Sequence, residues 1–453
     1  MTLRERLRSA DVHLAVLALV AFAVRARPLI GLGGPWGFPV DYDEGVYFSA
    51  AGLLVRGVLP WRDFVFVHPP GVLLGWAPFA SFDLVRGFEV ARFAACVLGA
   101  LNVFLLGQVV MLRVGHAAAI AAALLYATYP EAIGTERGPF IEPWLNLFVL
   151  LAAWCAVKSR WGRAGALLGV AVWMKLWALL WFPAFAVLWW REKNVRALVA
   201  LAVALVPVLA LLPTPFWEQV IAFQLVRPPD ATQGLLQRLV EIFSWPHAGL
   251  VVLGLVGLRE RFFAVATVMI VAAFLGAAAY WSQYNGHLAV AQCGLAGAGF
   301  AALERFRWRW AVLAAAVWLA VQVPWPARTR GLLELRGALA AQPRCWFAFE
   351  PAWSLAAGEL PAHGDGAPVI VDSYGAMLLA AGKGFSTTEA ALRSPAAQAY
   401  VAPRLAACPT IIMGWRGDWQ LADETKASLR QSRARVEGAP FEVLQRAAGS
   451  TTE

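Results

Sequence analysis

The sequence is short of charge: only 15% of its 453 residues are Asp, Glu, Lys or Arg, while 60% are hydrophobic. That balance excludes a single soluble core, and the recurrence of apolar runs along most of the chain excludes a lone anchor. The composition is that of a polytopic membrane protein. Cysteine is scarce too. Of five, Cys96, Cys155 and Cys293 fall in apolar segments and read as packing residues. Cys345 and Cys408 fall in the polar C-terminal region; if that region lies outside the cytoplasm, a disulfide between them and two free thiols stand as equal alternatives. There is no internal repeat and no low-complexity segment beyond ordinary Ala and Leu bias. No small-residue cleavage pattern follows the basic start MTLRERLRSAD, so the first apolar run reads as a retained span rather than a signal peptide.

What is present begins with a net charge of +9. The Lys and Arg are scattered in short clusters between apolar runs, where they set topology, so nucleic-acid binding is excluded. Apolar segments fall near 12–30, 90–112, 116–130, 142–157, 164–174, 176–190, 197–213, 247–258, 262–280, 287–303 and 310–324. Basic residues mark alternate connections: Arg4, Arg6 and Arg8; Arg113; Lys158, Arg160 and Arg163; Arg191, Lys193 and Arg196; Arg259 and Arg261; Arg305, Arg307 and Arg309. The positive-inside rule places these, and the N-terminus, in the cytoplasm. The exterior then receives 31–89, 131–141, 214–246, 281–286 and everything after 325. The 22 tryptophans suit the bilayer interface or the packing between helices.

Residues 164–190 carry cytoplasmic-type charge on both flanks, so they cross an even number of times. Folded in two at ~1.5 Å per residue they make helices of roughly 20 Å, which predicts a hairpin of two short helices with Lys175 near its apex. A lysine inside AVWMKLWAL either snorkels or meets an anion. Within the first exterior loop, 45–56 and 71–82 read as amphipathic helices lying along the membrane surface. After 325 the composition turns soluble. Pro368-VIVDSYG, Pro409-TIIMGW and Phe441-EVLQR read as strands, and 389–403 and 422–435 as helices. The expected architecture is therefore a membrane domain over 1–324 with about 11 spanning or half-spanning helices, a first exterior loop over 31–89, and a small exterior α/β domain over 325–453.

The densest charge lies in that first loop, where Asp41, Asp43 and Glu44 are followed by His68-Pro69-Pro70. Acidic residues at a helix start also serve as caps, but so much charge beside a membrane marks a candidate site. The two prolines make a rigid bend after His68. Glu136, Arg137 and Glu142 sit in TERGPFIEPW of the second exterior loop, and Gln283, Tyr284, Asn285 and His287 cluster at a later exterior corner. Tyr284 equally suits an interfacial belt. Arg227-Pro228-Pro229 either caps a pocket or makes a turn.

In order and topology, residues 10–320 resemble the GT-C glycosyltransferases, above all the protein O-mannosyltransferases and the lipid A aminoarabinose transferases. The resemblance rests on an Asp-Glu pair opening a helix in the first exterior loop, His-Pro-Pro further on, an arginine-bearing second loop with an acid five positions later, and a lysine in a short hairpin. It does not cover the C-terminal region, which lacks the repeats of MIR domains. It implies an enzyme of the cell envelope, a multi-pass protein of the plasma (inner) membrane. Such an enzyme moves a hexosyl or pentosyl group from a polyprenyl-phosphate donor to an acceptor hydroxyl on a lipid, glycan or protein, with inversion.

Under that resemblance Asp43 is the general base, with Glu44 and Asp41 beside it, because an alcohol is a poor nucleophile until a carboxylate takes its proton. Arg137 is the best ligand for the departing phosphate, since guanidinium matches it with two parallel hydrogen bonds; His68, Lys175, Tyr284 and His287 are further candidates. Glu142, like Glu44, is expected to orient Arg137 or His68. Asp41-Tyr42-Asp43 has the D-x-D form that holds divalent ions in some relatives. The nearer relatives use none with a lipid monophosphate, so no metal is expected. Two other readings stand beside the enzyme: a transporter or flippase for a lipid-linked saccharide, which calls for inverted repeats and broken helices, and an inactive relative that acts through its C-terminal domain.

Overall fold

The protein was analysed as a computed structural model that describes residues 3–31, 34–192, 195–210, 215–230, 234–321, 331–361 and 366–446. The chain divides into two compact units, one of residues 1–28, 92–210 and 233–325, the other of 29–91, 211–232 and 326–453. The C-terminal residues thus share their unit with the first loop and with 211–232. The expected boundary at 324/325 lies outside the described residues, as do Lys193 and the side chains of Arg4, Arg6, Arg8 and Arg191.

Every apolar segment read from the sequence carries a helix. Among the described residues, however, only Asp11–Ile30 and Leu84–Arg113 are long and apolar enough to cross a membrane, with a third if Leu235–Ile242 and Trp245–Val256, bent by 44°, are one broken span. Several other apolar helices, among them His116–Thr128 and Glu142–Val157, run 10–17 residues, short of the ~20 that a perpendicular span needs.

In the first unit, Asn285–Ala302 is the central helix, packed by His116–Thr128, Ala248–Val256 and Arg261–Gly276. Its sequence NGHLAVAQCGLAGAGFAA is rich in Gly and Ala, which lets backbones approach closely. A methyl group on Gly299 would overlap the carbonyl of Leu253. The predicted hairpin is present. The helix Trp161–Met174 ends at Lys175, whose backbone is extended, and the chain resumes as a short 3-10 segment, Leu176–Trp181, before the helix Phe182–Glu192. Trp161 and Trp189, from opposite ends of this stretch, line one apolar cleft.

The second unit holds a four-stranded sheet: β1 (Trp346–Ala348), β2 (Thr410–Ile412), β3 (Ala434–Arg435) and β4 (Val443–Gln445), in the order β1-β2-β4-β3. β1 and β2 are parallel, and the other pairs are antiparallel. Phe347, Phe349, Ile411, Met413 and Leu444 share a core with Met377, Leu392 and Val401 from the helices Ser373–Ala381, Thr388–Leu392 and Pro395–Ala407. Cys345 and Cys408 form a disulfide just ahead of β1 and β2.

Two of the three expected strands form. The third does not: Val369 makes only an isolated bridge to Phe64. Asp372 then accepts from the Gly375 N–H at 2.8 Å and caps the helix Ser373–Ala381, and that local bond ends extended structure. Residues 389–403 fall in two helices, broken where Ser394 caps the second, and the helix expected over 422–435 is Asp423–Ser432, with Ala434–Arg435 forming β3 instead. Helices also form at Tyr42–Leu54 and Gly71–Ala80. The first is buried from Glu44 to Leu53, so it has no polar wet face of the kind expected for a surface-lying helix.

Candidate active site

The three first-loop acids have different local roles. Asp41 is the N-cap of Tyr42–Leu54, accepting from the Asp43 N–H at 2.9 Å, and Glu44 Oε1 accepts from the Asp41 N–H at 3.0 Å. This reciprocal capping box satisfies helix-end donors. Glu44 is buried at 2% exposure, while Asp43 is half-exposed. Two of the acids therefore hold the helix start, and Asp43 is carried on it.

Tyr42, beside Asp43, is fixed from the C-terminal part of the unit. Its hydroxyl donates to Asp372 Oδ1 at 2.8 Å and accepts from the Tyr374 N–H at 3.2 Å. Arg416 lies 3.8 Å above its ring and pairs with Glu350 Oε1 at 2.9 Å. Burial pushes the Asp372 carboxyl and the Tyr42 hydroxyl above their ordinary ranges. It also raises Glu350 to about 7, against the pull of Arg416 and with a further push from Asp41. One turn along, Gly45 meets the backbone of Ala352 where a methyl group would not fit. Sequence reasoning missed Tyr42, Glu350, Asp372 and Arg416, because nothing in the local pattern links positions so far apart.

His68 Nε2 lies 3.2 Å from the Tyr47 hydroxyl, on the same helix as Asp43, and packs edge-on against that ring. Arg227 donates to the Tyr374 hydroxyl at 2.7 Å, and Thr388 donates to the carbonyl of Pro228, so this loop docks on the sheet domain.

The remaining candidates belong to the first unit. Lys175 Nζ is 2.8 Å from Glu142 Oε1, both nearly buried, and lies 3.8 Å from the centre of the Trp177 ring and 4.5 Å from that of Tyr284. Lys175 thus meets an anion, and Glu142 partners it rather than serving the expected role toward Arg137 or His68. Arg137, 6% exposed, donates from Nε to the Ile133 carbonyl at 3.0 Å. Its neighbour Glu136 is fully buried and accepts from Arg25, Asn102 and Tyr126.

Both ring nitrogens of His287 are occupied, Nε2 by the Trp181 indole at 3.0 Å and Nδ1 by Asn146 Oδ1 at 2.7 Å. Neither is then directed at a phosphate. Among the described residues no group of three His, Cys, Asp or Glu side chains is placed to hold a metal ion.

No protein-family model matches the sequence, and no curated protein matches it. Solved structures do match. ArnT from Cupriavidus metallidurans bound to undecaprenyl phosphate superposes with a TM-score of 0.64 at 14% identity, over 98% of this chain and 99% of that one. The apo state of the same protein gives 0.60 with the same coverage. The apo oligosaccharyltransferase of Archaeoglobus fulgidus gives 0.54 at 10% identity, over 89% of this chain and 69% of that one. The chain thus shares the fold of these two proteins along most of its length.

Proposed function

We propose that the protein transfers a sugar from a polyprenyl-phosphate donor to an acceptor hydroxyl on the exterior face of the plasma membrane, with inversion. Asp43 is the general base. The acceptor oxygen attacks the anomeric carbon, its proton passes to Asp43, and the bond to the donor phosphate breaks with its electron pair leaving on the polyprenyl phosphate. Arg137 and Lys175, with Tyr284 beside Lys175, stabilise the charge that develops on that phosphate. An ammonium has three donors, so Lys175 can keep Glu142 and still serve a phosphate oxygen. His68 supports the helix of Asp43 through Tyr47, and His287 supports the donor side without touching it.

The observation that carries this reading is the capping box on a shared fold. Asp41 and Glu44 form the box that fixes the start of the helix, and it carries Asp43, half-exposed on its first turn, as the acid assigned to proton transfer. The full set of about 11 crossings, the cytoplasmic N-terminus and the exterior C-terminal domain belong to the same proposal. The Cys345–Cys408 disulfide supports an oxidising exterior for that domain, and the charged clusters support the topology.

The test is transfer of radiolabelled sugar in membranes offered a panel of polyprenyl-phosphate monosaccharides, wild type against Asp43→Asn. Label moving to an extractable product with wild type alone supports the enzyme and names the donor. Translocation of the lipid, unchanged in Asp43→Asn and without transfer, would replace it with a carrier.

A further inference from the structure

Six buried side chains of the first unit form one unbroken line of hydrogen bonds. Trp181 Nε1 donates to His287 Nε2 at 3.0 Å, and His287 Nδ1 meets Asn146 Oδ1 at 2.7 Å. Asn146 Nδ2 donates to the Tyr126 hydroxyl at 3.0 Å, and that hydroxyl donates to Glu136 Oε1 at 2.7 Å. Arg25 closes the end with Nε and Nη2 on Glu136 Oε2, at 3.1 and 2.7 Å. All six are 0% exposed.

The protons along this line have a single arrangement. An indole nitrogen only donates, so His287 Nε2 carries no proton and Nδ1 must. Asn146 therefore receives on its oxygen. Its amide nitrogen also donates to the Gly286 carbonyl at 3.0 Å, an atom that only accepts, and this fixes the amide independently. The second amide proton falls on Tyr126, whose own proton then points to Glu136. Donation runs one way from Trp181 to Glu136, and Arg25 donates to the same carboxylate from the other side. Hydrogen bonds aligned in this manner polarise and strengthen one another.

Two members of the line adjoin a proposed phosphate ligand. Glu136 immediately precedes Arg137, and Trp181 closes the 3-10 segment that opens after Lys175. We propose that the relay is a positioning device that holds the Arg137 turn and the Lys175 segment in one register, so that two cations are presented together before the lipid phosphate arrives. Its members are positioning residues and do not touch the phosphate. Preorganised ligands bind better because less ordering remains to be done on association. The inference rests on the assignment of Arg137 and Lys175 to the donor phosphate.

The experiment titrates the purified full chain with undecaprenyl phosphate and records the melting temperature of each variant. Tyr126→Phe removes the link between Asn146 and Glu136, and Trp181→Phe removes the first donor; neither side chain reaches the ligand. Each is expected to weaken binding about tenfold, within the range by which coupled networks modulate distant sites. Because both break the same line, the double variant should be little worse than either single one. Folded variants that bind like wild type, or a double variant whose losses multiply, would overturn the relay while leaving the donor assignment standing. A wild type that does not bind undecaprenyl phosphate overturns the donor assignment, and the relay's role with it.

Discussion

The Tyr42 hydroxyl donates to Asp372 Oδ1 at 2.8 Å across 330 residues of sequence. It joins the first-loop helix carrying Asp43 to the cap of a helix in the C-terminal sheet domain. That domain therefore takes part in placing the proposed base, and its loss would reach the chemistry even if it never touched substrate.

Asp43→Asn is expected to lower transfer about 10²–10⁴-fold, the usual worth of a positioned acid or base, with donor affinity and melting temperature unchanged. The check is turnover measured beside equilibrium binding of undecaprenyl phosphate. Normal turnover would remove Asp43 from the mechanism.

Tyr42→Phe deletes the hydroxyl that donates to Asp372, which keeps the Gly375 N–H. Loss of a hydrogen bond to a buried group should cost the folded unit about 1–3 kcal/mol. Turnover should fall while the donor KM holds, because the change reaches Asp43 and not the phosphate ligands. Equal loss in both parameters would contradict this division.

Lys175→Met strands Glu142 in a buried position, and breaking such a pair from one side costs about 3–5 kcal/mol. Adding Glu142→Gln removes the stranded charge and should restore much of the melting temperature. Donor affinity should stay low in the double variant if Lys175 serves the phosphate. Recovery of both together would reduce Lys175 to a structural ion pair.

Glu350 is raised from an ordinary carboxyl value to about 7. For an acid raised in the folded state, that state holds more protons than the unfolded chain between about 4.5 and about 7. Stability is then full below that window and falls as pH rises through it. Denaturation at a series of pH values should show this decline in wild type and a flatter profile in Glu350→Gln. An identical slope in the two proteins would show that another group titrates there.

The sequence by itself determined the class of protein and most of its helices. Membrane residence follows from how little charge the chain carries, and helix placement from where Pro, Gly and basic clusters interrupt apolar runs, all of them short-range properties. The break at Lys175 was legible for the same reason, as a charge stranded inside an apolar run. Asp43 and its neighbours were legible as a knot of acids, but not their separate roles, since a capping box and a catalytic carboxylate draw on the same residue types.

Only the tertiary structure decided the partners. Glu142 went to Lys175, His287 was enclosed between Trp181 and Asn146, and Tyr42 was captured by Asp372 and Arg416. The expected strand at 368–375 gave way to a helix cap through a single aspartate. Each outcome is a choice among hydrogen-bonding groups far apart in the chain. A buried polar atom takes whichever partner folding brings within about 3 Å, and no local pattern of residues records which one that will be.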